Sequence, residues 1–149
     1  MLIEINIFFI MEKTFIILKP DCMEKKLAGT VLSRFENAGL KIVACKMTQL
    51  TDSLLREHYS HLVDEPFFQF LCDYMKKCPV IMAILEGDDA ITKVRELLGP
   101  TKSADAPAGT IRGDFGDKSV VTFNVCHASD SPESAAAEIK RFFSTTEIY

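Results

Sequence analysis

Residues 119–135 read SVVTFNVCHASDSPESA. A run of β-branched and aromatic residues from Ser119 to Cys126 predicts a strand, and His127 closes it with small polar residues directly after. Ser131 and Pro132 then have the chemistry of a helix start, a hydroxyl to cap and a proline for the first turn. Ala135, Ile139, Phe142 and Phe143 follow at helical spacing and predict the buried face of that last helix.

Working back along the chain, Thr14 to Leu18 (TFIIL) predicts a first strand, ended where Pro20 denies the ladder a donor. Leu27, Val31, Phe35 and Ala38 mark a helix, with Gly39 placed to turn the chain out of it. Leu40 to Leu50 reads as a strand with Val43, Cys45 and Met47 on its buried face. Thr51, Asp52 and Ser53 offer caps for a short helix through His61. Pro66 suits the first turn of a helix carrying Phe67, Phe70, Leu71 and Tyr74, which Pro79 ends. Val80 to Leu85 is a near-continuous apolar strand, followed by a helix on Ile91, Val94, Leu97 and Leu98. Gly99 to Asp117 collects glycine and proline and predicts a long loop of functional type. The resulting order β-α-β-α-α-β-α-β-α contains a split β-α-β, which predicts an α+β ferredoxin-like sandwich: a four-stranded antiparallel sheet with helices packed on it.

A chain of 149 residues has room for one domain, expected over residues 11–149, with Met11 as a candidate start and residues 1–10 as an N-terminal extension. Apolar residues at 48% against 26% charged are enough for a packed core. The net charge of −4 makes the molecule a poor match to nucleic acid, so a phosphate ligand has to be gripped by a few focused cations. The apolar run Ile7 to Met11 is far short of the ~20 residues needed to cross a bilayer, and no membrane partner is expected. Cys22, Cys45, Cys72, Cys78 and Cys126 form no C-x-x-C pair and read as reduced, mostly core residues of a cytoplasmic protein.

Neither a Walker-type P-loop nor a G-x-G-x-x-G fingerprint occurs. His58 and His61 lie one helical turn apart, but E-H-Y-S-H is not H-E-x-x-H; both read as solvated helix residues rather than metal ligands. His127 stands at a strand end beside a helix start, a place that exposes an imidazole to a cleft near backbone N–H groups. Ser129 and Asp130 are too near it in sequence to complete a hydrolase triad.

Asn124-Val-Cys-His-Ala-Ser-Asp-Ser131 resembles the active-site signature of nucleoside diphosphate kinases. Ile17-Leu-Lys-Pro-Asp21, Glu57-His-Tyr59, Pro66-Phe-Phe68, Gly109-Thr-Ile-Arg-Gly-Asp-Phe115 and Ser131-Pro-Glu-Ser-Ala135 are similar to that family in the same order, from about Glu12 to Phe143. The resemblance implies a ping-pong transfer of the γ-phosphoryl of a nucleoside triphosphate, commonly ATP, to a nucleoside diphosphate through a phosphohistidine on His127. It implies Glu138 as the group that orients the imidazole, Ser129 as its support and Tyr59 beside the site. Lys19, Arg95 and Arg112 match its cationic positions, Thr101 offers a hydroxyl, Lys19 and Asn124 reach the ribose and phosphate end, and the base stacks on Phe67 with Leu71 beside it. It further implies Mg2+ carried on the nucleotide phosphates with no protein cage, and a homo-oligomer.

Without the resemblance, Glu138 reads as a solvated carboxylate, Arg95 as an exposed partner of Glu96 or Asp88, and Phe68 and Phe70 as plain core. The chain departs from the family pattern at Cys22, at Ala128 after the histidine, at Lys102-Ser103 in the long loop, and in a spacing from Arg112 to Asn124 two residues longer than in most members. The alternative is a catalytically weak, kinase-like nucleotide-binding or scaffold module, but His127, Lys19, Arg95, Arg112 and Asn124 are all in place. A metal-dependent hydrolase lacks its ligands.

Overall fold

The computed structural model describes residues 11–149; the expected extension over 1–10 lies outside the described residues. Its sheet consists of β1 (Met11–Leu18), β2 (Lys41–Thr48), β3 (Val80–Asp88) and β4 (Cys126–Ala128) in the order β2-β3-β1-β4. Every pairing is antiparallel. The helices are α1 (Pro20–Glu24), α2 (Ala28–Asn37), α3 (Asp52–His58), α4 (Phe68–Met75), α5 (Ala90–Leu98), α6 (Ile111–Phe115) and α7 (Pro132–Phe142). This is the ferredoxin-like α+β sandwich that the alternation of elements predicts.

Strand β1 is central, and its TFIIL run is apolar on both faces because both are covered. Phe15 and Ile17 point into a core completed by α3, α4 and α7, where Phe15 stacks on Phe142 with ring centroids 5.0 Å apart. Ile16 and Leu18 point the other way, into a core with Val31 and Phe35 of α2, Val94 and Leu98 of α5, and Ile111 of α6. In the β1–β4 register Ile17 faces His127. The strand period of two therefore puts His127 on the α7 side, with Cys126 and Ala128 in the opposite core.

Several elements differ from their sequence reading. The strand expected over Ser119 to Cys126 shrinks to Cys126–Ala128. Upstream, the Asp117 carboxylate accepts the N–H groups of Ser119 and Val120 at 2.7 Å each, and Phe123 N–H bonds Val120 O at 3.0 Å. A side chain that caps its own backbone outcompetes the β propensity of the valines. The long loop contains α6, whose cap is the Thr110 hydroxyl, 3.0 Å from Gly113 N. A Cβ on Gly113 would run into the Pro107 carbonyl, so the turn closes only around glycine there.

In β2 a bulge between Ile42 and Ala44 breaks the alternation. Val43 and Ala44 are both buried, while Cys45 and Met47 are exposed, against the expected Val43/Cys45/Met47 face. Pro66 sits in turns ahead of α4 rather than in it, and Phe70 is exposed at the rim instead of in the core. Proline 20 both ends β1 and starts α1, a short helix the sequence reading missed.

Phe35 is fully buried on the face of the sheet away from His127. Phe35→Ala should lower the unfolding free energy by about 3–5 kcal/mol in urea titration, while kcat of the remaining folded protein stays unchanged.

Candidate active site

Helix α7 repeats Ala135, Glu138 and Phe142 on its buried face, so the Glu138 carboxylate enters the protein with the apolar stripe. It meets His127 there: Nε2 lies 2.6 Å from Oε1 and 3.2 Å from Oε2 of Glu138. The Ser129 hydroxyl donates to Oε2 at 3.1 Å. An ionised carboxylate only accepts, so a neutral His127 carries its proton on Nε2 and keeps an unprotonated Nδ1. The Glu138 side chain is 8% exposed and that of His127 23%, so the ring alone of the two opens to solvent.

It opens into a cavity of about 510 Å³. Lys19, Arg95 and Arg112 bring positive charge to it, Phe67 and Leu71 an apolar wall, and Tyr59, Thr101 and Asn124 polar atoms. All the residues that the sequence assigns to the site line this cavity, with Ser129 behind Glu138. Arg95 makes no ion pair with Glu96 or Asp88 and reaches the Ala128 carbonyl at 3.4 Å. Phe67 is half-exposed at the mouth and Leu71 is buried beneath it.

Arg112 and Lys19 also hold the site together. Arg112 is buried and donates to three main-chain carbonyls: Nε to Asn124 at 3.1 Å, Nη1 to Gly99 at 3.1 Å and Nη2 to Cys126 at 2.7 Å. A guanidinium has five N–H groups, which leaves two for an anion. Lys19 Nζ donates to the Thr122 carbonyl and, at 2.9 Å, to Asn124 Oδ1, while Asn124 Nδ2 donates to Thr101 O at 3.0 Å. Burial is the main cause that pulls the Lys19 pKa down to about 8; nearby Asp21 opposes it and Arg112 adds to it.

Sequence reasoning missed the group beneath. Asp21 accepts from the Tyr74 hydroxyl and from Val125 N–H at 3.0 Å, and Lys19 N–H donates to Val125 O at 2.9 Å. These bonds grip Val125 in a left-handed conformation, φ 74°, two residues before His127. His58, read as solvated, is buried against the His127 ring with centroids 4.6 Å apart, whereas His61 is exposed. Its only sequence signal is its place one turn after the buried Leu55. His58, His127 and Glu138 form a cluster within metal-ligand range, but Glu138 is already engaged by His127.

An imidazole backed by a carboxylate and facing a cationic cavity with an aromatic lip defines a phosphotransferase pocket on a ferredoxin-like sandwich. The nucleoside diphosphate kinase family model matches residues 12–148. The nucleoside diphosphate kinase of Methanothermobacter thermautotrophicus is 50% identical over 138 residues, 93% of this chain and 91% of the relative. Among solved structures, the nucleoside diphosphate kinase of Aquifex aeolicus superposes with a TM-score of 0.88 at 46% identity, covering 94% of this chain and 100% of that one. The halophilic nucleoside diphosphate kinase of Halobacterium salinarum, in complex with CDP, gives 0.89 at 38% identity, covering 93% and 91%. The chain belongs to the nucleoside diphosphate kinase family, and its activity is phosphoryl transfer between nucleotides.

With a folded-state Lys19 pKa of about 8 against 10.5 for the ordinary amine, the folded protein binds fewer protons than the unfolded chain between those values, so stability rises with pH there. The unfolding free energy of the parent protein should gain on that of Lys19→Met by ~3 kcal/mol from pH 8 to 10.5 in urea titrations. A constant difference would contradict the buried, proton-poor amine.

Proposed function

We propose that the transfer runs in two half-reactions through His127, and the observation that carries this reading is the Nε2 contact with Glu138. That contact leaves Nδ1 as the nucleophile facing the cavity. In the first half, the Nδ1 lone pair forms a bond to the γ-phosphorus of a nucleoside triphosphate; the bond to the β–γ bridging oxygen breaks, and the nucleoside diphosphate leaves with that electron pair. In the second, a terminal β-phosphate oxygen of an acceptor diphosphate attacks the same phosphorus and the N–P bond breaks, returning the lone pair to Nδ1. Glu138 holds the Nε2 proton throughout and stabilises the positive charge that develops on the ring, with Ser129 fixing the carboxylate.

Arg95, the two spare N–H groups of Arg112, and Lys19 grip the phosphates, whose charge is spread over several oxygens during transfer. Thr101 and Tyr59 supply hydroxyls, and Asn124 with Lys19 meets the ribose end. Phe67 offers a stacking face above Leu71, which suits every base because each has a π-face. The bound CDP of the Halobacterium salinarum relative supports nucleotides as the ligands. Magnesium takes hard oxygen ligands and several waters, and the cavity presents four cationic side chains against two carboxylates, Glu138, which is engaged by His127, and Asp130; that donor set is no cage and fits Mg2+ that enters on the nucleotide phosphates, where it would neutralise charge.

Residues 11–149 act as one kinase domain, residues 1–10 as an extension, and the enzyme works in the cytoplasm as a homo-oligomer. No described helix is long and apolar enough to cross a membrane. The scaffold reading lacks support, because the nucleophile, its carboxylate and the cations all converge.

Incubation with γ-32P-ATP and Mg2+ should label the protein with an acid-labile, base-stable phosphate that GDP chases into GTP. His127→Gln should abolish the label, and label persisting in that variant would overturn the reading.

Ser103 opens a 3₁₀ turn (Ser103–Asp105) and buries a hydroxyl with no partner, so a proline's fixed φ suits the position. Ser103→Pro should raise stability by ~0.4–1 kcal/mol and shift dissociation of the oligomer to lower protein concentration in light scattering. Monomers alone at micromolar concentration would contradict the oligomer.

A further inference from the structure

Arginine has donors and no acceptor. The His58 Nδ1 that lies 3.1 Å from Arg141 Nη1 is therefore an acceptor. Arg141 also forms an ion pair with the exposed Glu57, Nε 3.3 Å from Oε1, without hydrogen-bond geometry. Burial, with His127 and Arg141 as further causes, drives the His58 pKa down to about 2, so the ring is neutral. A neutral imidazole that accepts at Nδ1 carries its proton on Nε2. That tautomer also denies a metal ion the Nε2 lone pair, so the His58–His127–Glu138 cluster is not a cation site.

The Nε2–H is consequently a buried donor, and among the described residues it has no acceptor. Leaving such a group unpaired is a cost that phenylalanine in the same slot would not incur. The ring that carries this donor borders the reacting imidazole. His58 lines the cavity, its ring meets that of His127 edge to face at an interplanar angle of 79°, and ligand atoms of His58, His127 and Glu138 all lie within 4.8 Å of one another. Tyr59 and Phe142 wedge the ring from two sides, at centroid distances of 4.5 and 5.2 Å.

We infer that His58 is a further catalytic residue, whose buried Nε2–H donates to an oxygen of the phosphoryl group carried on His127. The inference rests on the phosphohistidine reading above. The bond is absent in the free enzyme and forms when charged oxygens arrive, so it favours the transferring group over the empty site. The donor is already desolvated in the free enzyme, so it has no water to lose when the oxygen reaches it, and a small shift of the ring brings it into contact.

The test combines substitution with spectroscopy on the full chain. Gln projects an N–H near the position of His Nε2 and Asn near Nδ1. His58→Phe and His58→Asn should slow the phosphorylation half-reaction about 10- to 100-fold, the loss expected for one hydrogen bond to a charged group, with ADP affinity within about twofold. His58→Gln should recover most of the rate. In 15N-histidine protein, His58 should show the Nε2–H tautomer, and that proton should move downfield when ATP loads His127, with loading confirmed by 31P NMR. Equal loss in all three variants, or an unmoved Nε2–H resonance alongside a clear phosphohistidine signal, would overturn the role of His58 alone. Absence of any phosphohistidine signal would overturn both readings.

Discussion

Three residues of β4, Cys126 to Ala128, pair with β1, and the whole site hangs on that short ladder. Among the described residues β4 is the edge of the sheet, with no strand to brace its other side. The register of Ile17 against His127 decides which face the imidazole takes, and a slip by one residue would send it into the opposite core. Side chains supply what the ladder lacks. Asp21 and Lys19 clamp Val125 from one side and Arg112 ties Asn124 and Cys126 from the other. A β-branched residue at φ 74° costs on the order of 1–3 kcal/mol and persists only where its surroundings over-determine it. The left-handed step at Val125 turns the chain from the Asp117 turn into the strand, so the strain lies where His127 is aimed.

The same atoms that brace the backbone prepare the pocket for anions. A protein of net charge −4 has no general attraction for a polyphosphate, so on the proposed reading its cations have to be focused in the cavity. Arg112 and Lys19 are held in place by carbonyls and an amide, so they lose little freedom when a ligand arrives, while Arg95 has a single long contact and more freedom to follow the substrate. Burial of Lys19 costs stability at neutral pH, the trade expected where charge is kept ready for a ligand.

Much of this was legible in the residues. The apolar TFIIL run, the alternation of elements and the polar break at His127 led to the right sandwich, and the motif resemblance named the cavity's lining. Glu138 was legible too, had its spacing been weighed: it falls three residues after Ala135 and four before Phe142, on the buried stripe. Of the strand expected over residues 119–126 only Cys126 is in β4, because the Asp117 side chain closes a turn upstream that β propensity does not register. The β2 face failed because a bulge shifts the period at Val43. Asp21, Tyr74 and His58 stayed hidden because their partners lie 53 to 104 residues away, and distant pairings leave no local pattern.

The role proposed for Glu138 is to occupy one imidazole nitrogen of His127 and thereby leave the other for chemistry. The most direct measurement is 31P–15N NMR of the phosphorylated enzyme, made with 15N-labelled histidine, which distinguishes the two ring positions of His127. Phosphorus coupled to Nδ1, with Nε2 still protonated against Glu138, is the expected result. Phosphorus on Nε2 would contradict it, since the Nε2–Glu138 contact at 2.6 Å would then have to break before every transfer.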